Sequence, residues 1–468
     1  MKVLMFGWEF PPHITGGLGT ACQGITHSLV SEGLDVTFVV PKLIKNDSDA
    51  PVRLVSAESV IIPIEKGKSI AHKSRATRSI KRRTTTALTR ATTTRNYLQK
   101  YTTIEVDSDL VPYTESTPSK TAWTVEQWNY VFDSPSLTAG AEYTGAELLK
   151  KEKKQPVGYR FSFNGGYGTT LMDEVENYAR VARELAMTTS HDVIHAHDWM
   201  TFPAGEQASK VSKKPLVVHV HATEFDRTGR CEGAIFKIEK AGMKAADHVI
   251  AVSNWTKKIL IDQYGVPGEK ITVVHNGINA RLTSLKKEGP PIGSEVVTFL
   301  GRITYQKGPK YFVEAARKVA EQFPKAHFIV AGSGDLLPQT IDRVAQLRLS
   351  DRFHFTGFVT SEWMARIWSM SDVYVMPSVS EPFGITPLEA VQAGVPVIVS
   401  RQSGVAEVME HALKVDFWNT TELAETICSL LRYKGLAIML RKEGTAEVGQ
   451  LTWSKAATNI IKVYEQVV

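Results

Sequence analysis

Cysteine is scarce in this chain: Cys22, Cys231 and Cys428 are the only three in 468 residues, far apart and in no paired motif. An odd count at wide spacing excludes a disulfide framework and points to a reducing compartment. Long apolar runs are also missing. Nothing approaches the roughly 18 apolar residues of a membrane-spanning helix, and the apolar run at Met1–Phe6 is too short for a signal peptide. A cytoplasmic location is therefore expected. Acidic residues are missing from one stretch: between Lys66 and Lys100 there are eleven Lys or Arg and no Asp or Glu. That stretch alone makes the protein basic, because a local +11 within a total of +6 leaves −5 for everything else. It is rich in Thr and shows little periodicity. Three readings of it stay open: a solvated insertion, peripheral contact with an anionic membrane surface, or nucleic-acid binding. Few aromatics interleave the charges and no recognition motif appears, so no nucleic-acid partner is expected.

What is present is ordinary in bulk, with 43% hydrophobic and 22% charged residues, and 468 residues give room for two or three domains. Strand and helix patterns alternate in two series. The first starts with Val3-Leu-Met-Phe6, a helix carrying Ala21, Ile25 and Leu29, and Val36-Thr-Phe-Val-Val40. It runs on to Val249–Val252 and Ile271–Val274. A polar run from Arg281 to Gly293 with Pro290-Pro291 reads as a hinge. The second series has strands at 296–300, 328–331, 353–355, 373–376 and 396–399, and a helix at 310–322. Such alternation implies an α/β fold of two doubly wound parallel sheets with helices on both faces. We divide the chain at 1–280, 281–450 and 451–468. An insertion at about 66–180 interrupts the first domain, and a last helix carries Ala457, Ile460, Ile461 and Tyr464 on one face. The later part of the insertion, with Trp123, Trp128, Tyr130, Phe132 and Tyr143, is aromatic enough to pack over the first half or to help select an acceptor.

Four constellations carry chemistry. Glu381 and Glu389 flank Pro-Phe-Gly in Ser380-Glu-Pro-Phe-Gly-Ile-Thr-Pro-Leu-Glu-Ala390, after an apolar strand and before a helix that stops at Gly394. That helix reads as Leu388–Ala393, and its start presents free N–H groups and a positive dipole end, a seat for phosphate to which Gly384, Ile385 and Thr386 lead. Two acceptor-only carboxylates beside an anion site suit a ligand with hydroxyls on either side of a diphosphate, which is the shape of a nucleotide sugar. Arg302 and Lys307 flank the turn Gly301-Arg-Ile-Thr-Tyr-Gln-Lys-Gly308, a planar fork and a point charge able to neutralise a departing diphosphate. Gly16 and Gly17, after the first strand, open a phosphate-compatible strand–turn–helix. Cys22 stands where a third glycine would complete the dinucleotide fingerprint, which weakens a hydride-transfer reading. Finally, Val193-Ile-His-Ala-His-Asp-Trp199 and Val217-Val-His-Val-His-Ala-Thr-Glu224 put His195 with His197, and His219 with His221, on shared strand faces, with Asp198 and His221 at the strand ends. No spacing among them matches a helical or Cys/His metal site, so no metal and no cofactor is expected. The Asp-x-Asp matches Asp47–Asp49 and Asp107–Asp109 are two residues deep and are assigned no metal either.

Taken singly each of these has an ordinary structural reading: a dipole-favoured carboxylate, a solvated cation, a core histidine with satisfied hydrogen bonds (the expectation for His195 and His219). Together they resemble retaining glycosyltransferases of family four and the related glycogen and starch synthases, over nearly all the chain except 66–180. The resemblance implies the GT-B architecture, with two Rossmann-like domains facing a cleft and the terminal helix crossing back onto the first. It implies transfer of a hexose from a nucleoside diphosphate sugar to a hydroxyl with retained configuration. In that scheme Arg302 and Lys307 hold the diphosphate with Gly16 and Gly17, and Glu389 accepts from the ribose. Glu381 grips the sugar being moved, His221 holds it from the opposite domain, and Asp198 lies on the acceptor side. Ile14 departs from the bacterial glycogen synthases, which place Lys there, and the second glutamate is one that many of them lack. UDP- and GDP-sugars are thus open beside ADP-glucose. A glucan acceptor leads; a lipid-linked or cell-surface glycan precursor is the alternative. Outside the transferases stand a sugar-nucleotide epimerase and a non-catalytic polyanion-binding protein.

Overall fold

The computed structural model describes residues 1–11, 16–43, 52–63, 146–150, 156–279 and 295–468. The basic run 66–100, the aromatic segment 123–143, both Asp-x-Asp matches, Ile14 and the hinge run 281–293 lie outside them. The first half is built on seven parallel strands: β1 (Lys2–Phe6), β2 (Asp35–Val40), β3 (Arg53–Ser56), β7 (Val193–His197), β8 (Leu216–Val220), β9 (His248–Ala251) and β10 (Ile271–Val273). Their order is β10-β9-β8-β7-β1-β2-β3. The second half has six parallel strands: β11 (Val296–Leu300), β12 (His327–Ala331), β13 (Phe353–Gly357), β14 (Val373–Met376), β15 (Val397–Ser400) and β16 (Leu413–Val415), ordered β13-β12-β11-β14-β15-β16. In both sheets the chain works outward from the first strand, then reverses on its other side. This is the doubly wound pattern, and its crevice opens beyond the carboxyl ends of β1 and β7 in one half, β11 and β14 in the other.

The strands are short apolar runs because both faces are covered. On β1, Leu4 and Phe6 join one buried cluster while Val3 and Met5 join another on the opposite face, the alternation that extended backbone imposes. A smaller antiparallel sheet, β4 (Ile62–Pro63), β6 (Pro156–Phe161) and β5 (Ala146–Lys150), adjoins the first half. The regular fold resumes inside the segment read as insertion: helix Leu171–Thr188 buries Val175, Tyr178 and Val181 in the first-half core.

The last helix, Trp453–Val467, starts with Thr452 Oγ1 accepting from the Lys455 amide. It buries Trp453, Ala456, Ala457, Ile460, Val463 and Tyr464 against Ile25 and Leu29 of helix Gly17–Ser31, so the chain crosses back from the second half to the first. Burying Ile- or Val-sized side chains is worth roughly 1.5–3 kcal/mol each, so this docking is a substantial part of the first half's stability. Gly24 permits it, since a Cβ there would fall 2.3 Å from Trp453. Among the described residues no helix is long and apolar enough to cross a membrane.

Candidate active site

Both switch points face one interdomain cleft, and each places residues singled out from the sequence. In the second half the chain leaves β11 through Gly301 and a tight turn to Gly308. Gly308 has φ +66°, and a Cβ there would lie 2.2 Å from the Pro377 carbonyl oxygen, so only glycine lets this turn press against the end of β14. Lys307 thereby meets Glu381, Nζ to Oε2, at 2.5 Å. The same oxygen accepts from Ser378 Oγ at 3.1 Å. The Glu381 side chain is 7% exposed and that of Lys307 21%, so the pair interacts where water screens it little. Arg302 donates to Gln306 Oε1 at 3.1 Å, and the Gln306 carbonyl in turn accepts from Val379 N at 2.8 Å.

Beyond Glu381 the chain reaches Gly384 at φ +100° and enters helix Ile385–Gln392, a little earlier than the run 388–393 suggested. Glu389 stands in its second turn, and Gly394 at φ +80° ends it. Beneath both glutamates lies Tyr374 of β14, fully buried, its hydroxyl donating to the Leu300 carbonyl at 3.2 Å. Burial, then the nearby carboxylates of Glu381 and Glu389, push its phenol well above the ordinary tyrosine range. The sequence reading passed over Tyr374. A tyrosine inside an otherwise apolar strand, whose hydroxyl must find a partner, was the available signal.

In the first half Gly16 caps helix Gly17–Ser31, and a Cβ on Gly17 would meet nothing within 4 Å. Glu9 lies against Gly16 and accepts from Gly19 N at 3.1 Å, with Tyr167 hydrogen-bonded to its other oxygen. Burial raises the Glu9 pKa, while Tyr167, Gly19 and the positive field of Arg302 across the cleft lower it.

At the end of β7, Asp198 adopts a left-handed backbone, φ +59°. Its Oδ1 accepts from the amides of His221 at 2.7 Å and Ala222 at 3.3 Å, joining the tips of β7 and β8. Burial pushes this carboxyl up to about 7. His221 Nε2 lies 2.9 Å from His197 Nδ1, and burial pushes its imidazole down to about 3, so it is a neutral hydrogen-bonding group at pH 7. Arg227 ties the neighbouring helix Glu224–Thr228 to Glu239 at 2.6 Å. Neither residue was singled out from the sequence.

The histidine expectation needs a correction. His195 does pair with Tyr464 Oη at 2.6 Å through Nδ1, but among the described residues its Nε2 and both ring nitrogens of His219 have no hydrogen-bond partner. Its register sets it beside His197 on β7, and the four rings stack on one sheet face with centroids 4.3 to 5.4 Å apart. Ring stacking and the apolar face hold His219 in place of hydrogen bonds. His195, His197 and His219 bring ligand atoms within 4.8 Å of one another.

Two facing doubly wound sheets with a returning terminal helix define the GT-B class of glycosyltransferase. Three family models divide the chain: glycosyl transferases group 1 over residues 281–447, glycosyltransferase family 4 over 151–282, and the starch synthase catalytic domain over 2–61. An uncharacterised glycosyltransferase of Methanocaldococcus jannaschii is 31% identical over 298 residues, covering 59% of this chain and 75% of that one. The chain belongs to the GT-B glycosyltransferases of the family four and glycogen synthase-like superfamily. Its fold matches the sucrose-phosphate synthase of Thermosynechococcus elongatus with a TM-score of 0.63 at 17% identity, over 99% of this chain and 98% of that one. An Anabaena protein solved with UDP and glucose matches with a TM-score of 0.52 at 21% identity, over 64% of this chain and 83% of that one.

Proposed function

We propose that this transferase moves a hexose, with glucose the first candidate, from a nucleoside diphosphate sugar to a hydroxyl of a glucan, with retention at the anomeric carbon. The observation that carries this is the Lys307–Glu381 pair, 2.5 Å apart at the second switch point, on the same turn as Arg302, whose positive field reaches Glu9 beside Gly16 in the other half. A diphosphate seated between them would have its growing charge offset by Arg302 and Lys307. One such preorganised donor is commonly worth about 3–4 kcal/mol of barrier. Glu381 would accept from hydroxyls of the sugar and Glu389 from the ribose. His221, neutral, would hydrogen-bond the sugar from the first half, and Asp198 would fix the loop that carries it. The bond from the anomeric carbon to the diphosphate oxygen breaks, the acceptor oxygen replaces it on the same face, and the departing phosphate takes the acceptor proton. No metal enters this scheme, so turnover should survive excess EDTA. UDP is the first base to try, because the Anabaena neighbour was solved with it.

A thermal-shift screen with UDP-, ADP- and GDP-sugars tests the donor, followed by diphosphate release with and without a glucan primer. Failure of every sugar nucleotide to raise the melting temperature would remove the proposal. Release that needs no acceptor would move it to the epimerase reading. The eleven cations between Lys66 and Lys100 favour one second reading, in which the acceptor is carried on an anionic membrane surface. Co-sedimentation with phosphatidylserine vesicles, abolished on deleting 66–100, would support it.

A further inference from the structure

One set of contacts has no use in the scheme above. Ser380 Oγ donates to Asp226 Oδ1 at 2.5 Å and accepts from Trp255 Nε1 at 3.1 Å. Two residues on, the Pro382 carbonyl accepts from Ser253 Oγ at 2.5 Å and from Thr256 Oγ1 at 3.3 Å. Glu381 is therefore bracketed on both sides by hydrogen bonds from the opposite half of the molecule. The packing there has no slack, since a Cβ on Gly404 would fall 2.2 Å from the Pro382 oxygen and 2.4 Å from Ser253 Cβ. Asp226 is itself anchored. It is 1% exposed, and its Oδ2 accepts from Thr223 N at 2.8 Å and Thr223 Oγ1 at 2.7 Å, the capping box of helix Glu224–Thr228. That box begins two residues after His221. One buried carboxylate thus links the β8 tip that carries His221 to the loop that carries Glu381.

We infer that Asp226 is a positioning residue, which through the Ser380 hydroxyl fixes Glu381 relative to His221, so that Glu381 takes up its position only when the two halves are together. The inference rests on the transferase reading. Asp226 and Ser380 belong to different halves, so their hydrogen bond exists only when the halves are together. Opening would break that bond, and a carboxylate acceptor makes it stronger than one between neutral groups. Groups gripping one sugar from two sides must be held to a few tenths of an ångström, and the loop from Pro377 to Gly384 keeps that precision only if something outside it pins it.

The test uses the full-length protein with Ser380→Ala, Ser380→Thr, Asp226→Asn and the Ser380→Ala/Asp226→Asn double variant. Ser380→Ala should lower kcat about tenfold while the donor KM stays within about twofold, since the lost hydroxyl acts on Glu381 placement rather than on the nucleotide. Ser380→Thr, which keeps the hydroxyl, should recover most of it. The double variant should be no worse than the poorer single one, because both remove the same contact. Amide exchange over 379–384 in the unliganded protein should rise in Ser380→Ala and not in Ser380→Thr. Wild-type exchange and kcat in Ser380→Ala, or additive losses in the double variant, would overturn the inference. A wild-type protein that binds no sugar nucleotide defeats the transferase reading instead, and the exchange measurement then still decides whether Asp226 and Ser380 pin the loop.

Discussion

At the scale of single residues, Lys307 and Glu381 are coupled by geometry and their replacements should not behave alike. Lys307→Ala removes the cation assigned to the leaving group and strands a buried carboxylate. We expect kcat to fall by about 10²–10³, as for loss of one preorganised donor, with a lowered melting temperature. Glu381→Gln keeps the shape and relieves the pair of one charge, so kcat should fall while the melting temperature holds. Steady-state kinetics with a paired melting curve separate the two, and a Lys307→Ala protein of wild-type kcat would contradict the assignment. His219 gives a second expectation, in acid. Burial, then its histidine neighbours, hold its imidazole well below 6.5, so the folded protein keeps it neutral. Above pH 6.5 folded and unfolded chains are alike at this site. As pH falls below 6.5 the unfolded chain gains a proton that the folded one refuses, and stability is lost until the depressed folded pKa is reached. His219→Leu removes that loss. Relative to wild type, its unfolding free energy should rise by about 1.4 kcal/mol per pH unit between pH 6 and 4.5. Parallel urea curves for the two proteins would show the idea to be wrong.

At the scale of elements, glycines divide into those that admit a neighbour and those that face open space. Gly24→Ala would drive a methyl into Trp453, 2.3 Å from the Cβ position. It should cost about 1–3 kcal/mol, as overpacking does, and loosen the terminal helix, read as a red shift of tryptophan emission at lower urea. Gly17→Ala meets nothing within 4 Å at the first position of the same helix, so the fold should hold within about 0.5 kcal/mol. If a diphosphate approaches that backbone, the methyl should instead weaken donor binding. A Gly17→Ala variant with unchanged donor affinity would take Gly17 out of the donor site. Elements were also where the sequence was most readable. The runs 296–300 and 373–376 are strands with those bounds, because buried parallel strands are apolar throughout and end abruptly at Gly or Pro. Arg302 and Glu381 were readable because they follow such ends, with Lys307 in the turn after β11 and Glu389 in the helix after β14. Tyr374, Asp226 and the contact of Ser380 with it were not. Periodicity tells which face a side chain takes, but not that residue 226 will meet residue 380 across a cleft. His219 was misread for the related reason that its neighbour His197 lies on another strand.

At the scale of the whole molecule, the halves also meet through a carboxylate that caps a helix of the opposite half. The Glu407 carboxylate, from the second half, accepts from Asn254 N at 2.9 Å and Trp255 N at 2.6 Å, capping helix Asn254–Asp262 of the first half. It also meets His275 Nε2 at 3.1 Å. Burial would raise the Glu407 pKa, but the hydrogen bonds from His275, Asn254 and Trp255 outweigh it and hold it below 4.5. Above pH 4.5 the cap is therefore charged and in place; it is lost as pH falls through the lower, folded value. A crevice of about 400 Å³ between Trp255, Arg401, Lys414 and Glu407 adjoins this contact. Glu407 thus acts on how often the cleft is closed, and Ser380 on what the closed cleft looks like. Glu407→Gln should raise the donor KM about threefold to tenfold with kcat nearly unchanged, since a less populated closed form lowers apparent affinity by its fraction. Small-angle scattering of the unliganded variant should show a larger radius of gyration, restored by saturating donor. If Glu407→Gln instead lowered kcat and left KM and radius alone, the Glu407 cap would share the work assigned to Ser380, and closure could not be separated from placement in this molecule.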